Sequence, residues 1–275
     1  MTHNRTSNES LGKRIRTARL SRHVPGRLMI VPLDHSISDG TLPVPDGDVG
    51  ELVSRLAISN ADAVVLHKGR LRYLDHTAFS RTSLVVHLSG GTVHAADPNE
   101  KYLVASVEEA LRLGADAVSV HVNLGSPGER SQISDLATVG ATCDMWNVPL
   151  LAMIYPRGPK ITVPNSPELI SHATTLAVDL GADIVKTAFA PTASEMADIV
   201  RATPIPVVAA GGALRPTIED TVSFVDAVMS SGAAGVAMGR NIFQAEDPGN
   251  TARRVAGVVH NHRGATSSRP DTVAA

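Results

Sequence analysis

The sequence predicts an α/β chain folded as a single (β/α)8 (TIM) barrel with an N-terminal capping helix, and three observations lead there. Eight apolar runs of strand length recur between Leu28 and Gly239. They lack alternation of apolar and polar residues, as expected of parallel strands covered on both faces. Amphipathic segments separate them, giving the alternation of strand and helix that builds such barrels. Finally, helices end in a repeated phrase: Ser59-Asn-Ala-Asp62, Gly114-Ala-Asp116, Gly181-Ala-Asp183 and Gly232-Ala-Ala234. A small residue ends each helix in a left-handed turn and the Ala-Asp step opens the next strand. At 275 residues the chain holds eight such units in one domain. A doubly wound sheet is the alternative, but no Gly-x-Gly-x-x-Gly follows the first run.

Residues 1–9 are polar and without periodicity, so they read as a disordered tail. The barrel is expected over residues 10–262, and a second polar tail over 263–275. Leu11, Ile15, Ala18 and Leu20 share one helical face opposite a basic one, fitting a lid over one end of the fold. The expected strands are Leu28–Asp34, Ala61–Lys68, Ser83–Ser89, Ala115–Val122, Pro149–Tyr155, Ala182–Thr187, Pro206–Gly211 and Gly235–Gly239. Helices are expected over Asp46–Ser59, Ser106–Leu113, Ser131–Asn147, Ser166–Leu180, Thr192–Ala202, Pro216–Ser231 and Pro248–His262. Ser106-Val-Glu-Glu109 has the form of a capping box, while Ser166-Pro167 and Arg215-Pro216 place proline near a helix start. The connection from Gly69 to Thr82 is short for a helix.

Composition excludes several function classes. A formal net charge of −2 gives no electrostatic reason to expect nucleic acid or an anionic membrane as partner. No apolar run approaches the length that spans a bilayer, and the N-terminus lacks the apolar core of a signal peptide. The single cysteine, Cys143, cannot close an intramolecular disulfide, which suits a reducing cytoplasm. It lies beside Met145 and Trp146 in a helical stretch and reads as packing.

Barrel active sites form at the C-terminal ends of the strands. Polar groups recur there: Asp34-His35, His67-Lys68, Ser89-Gly90-Gly91, His121 and Asn123, Tyr155-Pro-Arg157, Lys186-Thr187, Gly211-Gly212 and Gly239-Arg240-Asn241. Lys186 is the most costly of these, an amine placed in an apolar strand. It either snorkels to the rim or serves as a nucleophile whose pKa is brought down from about 10.4 toward about 7. Gly211, Gly212 and Gly239 offer backbone without side chains, and Arg240 adds a guanidinium. Loops after strands seven and eight commonly hold a phosphate, so these four are the expected phosphate cradle. Tyr155 closes the strand next to that of Lys186, and Asp34 closes the first. Schiff-base chemistry needs an amine for the ketone and groups that move protons, roles open to Lys186, Tyr155 and Asp34. His35, His67, Lys68, His121 and Arg157 are left as contacts for a second substrate, with His87, Ser89 and Asn123 beside them. His67 and His121 are also possible zinc ligands. However, no His-x-His, Glu-x-x-His or cysteine pair sits at matched strand ends, so no metal and no cofactor is expected.

These segments together resemble the archaeal-type class I aldolases, the DeoC/FbaB-like relatives of archaeal fructose-bisphosphate aldolase. The likeness rests on Leu33-Asp34-His35, Leu66–Gly69, His87-Leu-Ser-Gly-Gly-Thr92, Ala115–Asn123, Met153–Gly158, Ala182–Thr187, Ala210–Gly212 and Met238–Phe243, and it spans residues 11–262. His87–Thr92 is similar to the 2-amino-3,7-dideoxy-D-threo-hept-6-ulosonate synthase branch. The resemblance implies that Lys186 forms the Schiff base with a ketose phosphate, Tyr155 and Asp34 transfer protons, and Gly211, Gly212, Gly239 and Arg240 hold phosphate. Ser36 replaces the glycine usual after Asp-His, and the loop Lys160–Val163 also departs. Both lie near the acceptor side. A bacterial offshoot of the branch joins dihydroxyacetone phosphate to L-aspartate 4-semialdehyde, and a chain richer in arginine than lysine, with abundant alanine and valine, resembles it. The expected product is 2-amino-4,5-dihydroxy-6-oxo-7-(phosphooxy)heptanoate, a precursor of 3-amino-4-hydroxybenzoate. The alternatives are a transaldolase-like synthase with a deoxy-ketohexose phosphate donor, fructose-bisphosphate aldolase, and a phosphate-binding isomerase or sensor without covalent chemistry. Relatives also imply a homo-oligomer.

Overall fold

The computed structural model describes residues 10–42, 44 and 47–262. The two tails and Asp46, at the expected start of the first barrel helix, lie outside the described residues. Eight strands form the barrel: β1 Leu28–Pro32, β2 Ala63–Leu66, β3 Ser83–His87, β4 Ala117–Leu124, β5 Leu150–Pro156, β6 Ile184–Thr187, β7 Val207–Ala210 and β8 Gly235–Ala237. Each pairs in parallel with the next, and β8 closes onto β1 through Leu28↔Gly235 and its neighbours.

Around them run α1 Leu11–Leu20, α2 His35–Asp39, α3 Val49–Ile58, α4 Val107–Arg112 and α5 Glu129–Trp146. They are followed by α6 Pro167–Asp179, α7 Ala193–Ala202, α8 Ile218–Ser230, α9 Arg240–Phe243 and α10 Pro248–Asn261. Capping follows the sequence with small corrections. Ser106 accepts from the Glu109 N–H, but the reciprocal boxes are at Thr192/Glu195 and Thr217/Asp220. Pro216 therefore precedes the cap of α8 instead of opening the helix. The short connection from Gly69 to Thr82 holds two 3-10 turns, Lys68–Tyr73 and His76–Ser80. A two-stranded ribbon, Ser89–Gly90 against Tyr102–Leu103, rises after β3; the sequence carried no signal for it. Cys143 is buried, and burial pushes its thiol up to about 12, which fits a packing role.

Alternation along each strand sorts side chains between two layers. Met29 and Val31 face the helices, while Leu28 and Ile30 face the lumen with Ala63, Val65, Val85, Leu151, Met153, Ile184 and Val208. Leu20, the last residue of α1, plugs the lower end of that inner cluster. The expected apolar face of α1 is thus used only at its end. Leu11 and Ile15 remain 64% and 46% exposed.

What holds α1 is charge, supplied by the repeated Ala-Asp phrase. The Met29 N–H donates to Asp62 (2.7 Å), that of Leu84 to Asp116 (3.1 Å) and that of Leu150 to Asp183 (2.8 Å). Each aspartate thereby satisfies an amide at the start of a neighbouring strand that the ladder leaves open. Each also meets a basic side chain: His260 at Asp62 (2.8 Å), and the cations Arg19 at Asp116 (3.3 Å) and Lys13 at Asp183 (2.8 Å). Those two cations belong to α1, which explains its basic face. Its lid position rests on them.

Candidate active site

The same alternation that buries Ile184 in the lumen also points Lys186 there, one layer higher. Lys186 is only 7% exposed, with Nζ 3.8 Å from Met153 Sδ and 5.9 Å from the centre of the Tyr155 ring. Register explains the neighbours: Met153 pairs with Lys186 across β5–β6, and Tyr155 lies two residues further on the same face. The amine is therefore set in an apolar floor beneath a phenol and does not snorkel away.

Asp34 leads into α2 and turns its carboxylate toward the lumen. His35 Nδ1 and His87 Nε2 each lie 3.7 Å from one of its oxygens, and His67 Nε2 is 3.1 Å from its carbonyl oxygen. His87 also bonds Ser119 Oγ through Nδ1 (2.8 Å). Burial pushes His87 down to about 4 and lowers His67 and His35 in the same direction, so near neutrality these rings are uncharged. Burial alone raises Asp34, but its interactions with His87, His35, Lys186 and His67 outweigh it and hold its carboxyl well below the usual range.

At the ends of β7 and β8, between Lys186 and Asp34 around the barrel, Gly211, Gly212, Gly239 and Arg240 come together as expected. The Gly211 N–H is engaged by Ala237 O (3.0 Å), which removes it as an anion donor and corrects that part of the expectation. Gly212 has φ +71°, a conformation glycine adopts without penalty. A β-carbon on Gly239 meets Pro32 O at 2.7 Å and His35 Cε1 at 2.6 Å, so the approach of α9 to β1 requires glycine there. Two residues outside the expected cradle complete the wall: Arg215, not picked from the sequence as a site residue, and Asn241, which stood among the strand-end polar groups. Arg215 Nη1 donates to Gly211 O (2.6 Å) and its guanidinium lies 3.7 Å over the Phe224 ring. Asn241 braces the loop, with Nδ2 donating to Ala213 O (3.0 Å) and Oδ1 accepting from the Arg215 N–H (2.8 Å). Arginine shortly after a Gly-Gly pair was the one available signal.

The remaining candidates divide. His35, His67, His121 and Arg157 line the same cavity of about 730 Å³. His121 Nε2 bonds Asn123 Oδ1 (2.9 Å) and its ring lies 5.2 Å from that of Tyr155. Burial holds its pKa well below the ordinary value. The Arg157 guanidinium lies 4.9 Å over the outer part of Tyr155. Lys68 does not join them. His67 turns inward past the end of β2, so the next residue turns outward, and Lys68 Nζ pairs with Glu109 at 2.9 Å. Lys101, which the sequence did not single out, does line the cavity. Among the described residues no three His, Cys, Asp or Glu side chains converge as a metal site.

A buried amine, a phenol and an ionised carboxylate facing a cationic glycine wall are the parts of an amine-nucleophile site for a phosphorylated carbonyl compound. The family model for DeoC/LacD family aldolases matches residues 28–245, nearly the whole barrel. The chain belongs to the DeoC/LacD aldolase family. Over 254 residues the aldolase is 56% identical to the 2-amino-4,5-dihydroxy-6-oxo-7-(phosphonooxy)heptanoate synthase of Streptomyces griseus, covering 92% of each chain. It is 39% identical over 252 residues to 2-amino-3,7-dideoxy-D-threo-hept-6-ulosonate synthase 1 of Archaeoglobus fulgidus, again covering 92% of each. A solved structure of a Schiff-base-forming fructose-1,6-bisphosphate aldolase superposes with a TM-score of 0.81 at 30% identity, covering 89% of this chain and 99% of that one. The likeness extends from fold to family.

Proposed function

We propose that this aldolase condenses dihydroxyacetone phosphate with L-aspartate 4-semialdehyde, giving 2-amino-4,5-dihydroxy-6-oxo-7-(phosphooxy)heptanoate. The observation that carries the reading is the placement of Lys186: buried, under Tyr155, facing Asp34, on the strand beside the one that leads into the glycine–arginine wall. In this reading Gly212, Gly239, Arg240 and Arg215 anchor the phosphate and so present the ketone carbon to the amine. Lys186 adds to that carbon, and loss of water from the carbinolamine leaves an iminium. The Asp34 carboxylate steadies the positive charge, and Tyr155 moves the protons, first to the departing hydroxyl. Loss of a proton from the hydroxymethyl carbon gives an enamine, which attacks the aldehyde carbon and forms the new C–C bond. The alkoxide takes up a proton, water returns to the iminium, and hydrolysis frees the product and the amine. The 56% identity to the Streptomyces griseus synthase supports this substrate pair over transaldolase-type transfer from a deoxy-ketohexose phosphate.

The proposal extends to a cytoplasmic homo-oligomer that needs no cofactor. No described helix is long and apolar enough to cross a membrane. Leu11 and Ile15 of α1 and Met145 and Trp146 of α5 leave apolar surface exposed, and Gly12 sits against Asn147, next to those two. Light scattering on the purified protein tests assembly, and a monomer at all concentrations sinks it. For the chemistry, borohydride in the presence of dihydroxyacetone phosphate should add mass at Lys186, and Lys186→Met should stay unlabelled. Adding L-aspartate 4-semialdehyde without borohydride should yield the seven-carbon amino-keto phosphate. An unlabelled wild-type lysine overturns the Schiff-base reading, and labelling without product overturns the acceptor.

A further inference from the structure

Between Gly90 and Tyr102 the chain leaves β3, arches beside the barrel mouth and returns through the short ribbon. The arch is bolted down from inside. Asn99 O accepts from Asn123 Nδ2 (2.7 Å) and from Gln132 Nε2 (3.2 Å), and both side chains are buried. Asp97 Oδ1 accepts from the Asn99 N–H (2.9 Å) and shapes the turn. The outcome is that Lys101 is brought into the cavity from a fixed base. A β-carbon on Gly91 lies 2.4 Å from Glu100 O and 3.2 Å from Lys101 Cδ and Nζ, so only glycine there leaves room for that lysine. This gives the Ser89-Gly90-Gly91 motif a purpose that the Schiff-base chemistry does not.

We infer that Lys101, with Arg157, forms the subsite that binds the carboxylate of the acceptor aldehyde, an inference that rests on the aldolase reading above. Among the described residues Lys101 Nζ donates two long bonds, to Gly91 O and Pro98 O, both at 3.3 Å. Among the described residues neither Lys101 nor Arg157 has a carboxylate within 4.0 Å, whereas the nearby Lys68 is paired with Glu109. The fields of Arg157, Asp39, Asp34 and Asp97 all reach Lys101, and burial and Arg157 lower its pKa. Two cations facing one cavity, neither in contact with a carboxylate, form a site that an anion completes. The position fits the second substrate. β3 and β7 lie opposite each other in the closed barrel, so Lys101 faces the phosphate wall across Lys186. A carboxylate held there sets its aldehyde toward the enamine carbon, whereas the donor's phosphate already occupies the other side.

The test separates donor chemistry from acceptor binding. Lys101→Met should leave borohydride labelling of Lys186 by dihydroxyacetone phosphate unchanged. It should raise the KM for L-aspartate 4-semialdehyde about 10- to 100-fold, the range for one hydrogen-bonded charge, with little change in kcat. Lys101→Arg should recover part of the loss. With 3-aminopropanal, which lacks the carboxylate, wild type and Lys101→Met should be equal. Binding of unreactive L-homoserine by calorimetry gives a readout independent of turnover and should weaken by the same factor in Lys101→Met. An unchanged preference for the semialdehyde over 3-aminopropanal, or unchanged homoserine binding, overturns the assignment. A variant that loses activity only with glyceraldehyde 3-phosphate overturns the carboxylate in favour of a phosphate. Failure of wild type to label Lys186 instead removes the reading beneath it, which is a different result.

Discussion

Acid should loosen this barrel from the inside, and His87 sets the size of the effect. Its side chain is almost completely buried between Ser119 and Asp34, and burial pushes its pKa from 6.5 down to about 4. In the unfolded chain the same imidazole takes up a proton near pH 6.5, while the folded protein refuses it until about pH 4. Between those values the unfolded state binds more protons, so stability rises with pH through the window and is lost as pH falls. At pH 5 the difference between the two titrations amounts to about 2 kcal/mol, approaching about 3 kcal/mol below pH 4. His67, His35 and His121 shift in the same direction and add to the loss. Asp34 acts in a lower window, because its depressed pKa costs stability only once the unfolded carboxyl begins to protonate, so pH 5 isolates mainly the histidines. Urea unfolding at pH 7.5 and pH 5 measures the effect, and His87→Asn removes one titrating ring while keeping a polar side chain. Whatever its overall stability, the variant's loss between the two pH values should be about 2 kcal/mol smaller than in wild type. Equal losses in both proteins refute a neutral, buried His87.

Three further perturbations address the rest of the site and its frame. Tyr155→Phe should slow turnover by about 10²- to 10⁴-fold while borohydride labelling of Lys186 persists, and turnover as fast as wild type takes Tyr155 out of the mechanism. Gly239→Ala forces a β-carbon against Pro32 O, and the donor's KM should rise at least about 10-fold through displacement of α9; unchanged donor kinetics mean that α9 does not hold the phosphate. Asp62→Ala strands the buried Met29 N–H and takes away the partner of the part-buried His260, at about 1–3 kcal/mol in urea unfolding. Asp116→Ala, whose Arg19 partner is largely exposed, should cost less, and the reverse order contradicts the role given to the Ala-Asp phrase.

Strands buried on both faces were easy to see in the sequence because they are mostly continuous apolar runs. For the same reason their facing was not: Ala63-Val-Val-Leu66 carries no alternation to say which residues look into the lumen. That is why Lys68 was grouped with His67. The two differ by one residue, and only the pairing of β2 with its neighbours settles that His67 turns in and Lys68 turns out to Glu109. Lys186 escaped this ambiguity. Within β6 a charged amine has no place among the helices packed outside, so its own chemistry points it toward the cavity. The residues missed altogether, Lys101 and Arg215, lie in loops where no period exists, and they enter the site only because other groups fix the backbone: Asn123 and Gln132 for one, Asn241 for the other. The centre of the site is therefore written in the strands and its specificity in how the loops are tied to them. Substitutions at Asn123 or Asn241 should accordingly change which substrates bind before they change whether Lys186 reacts.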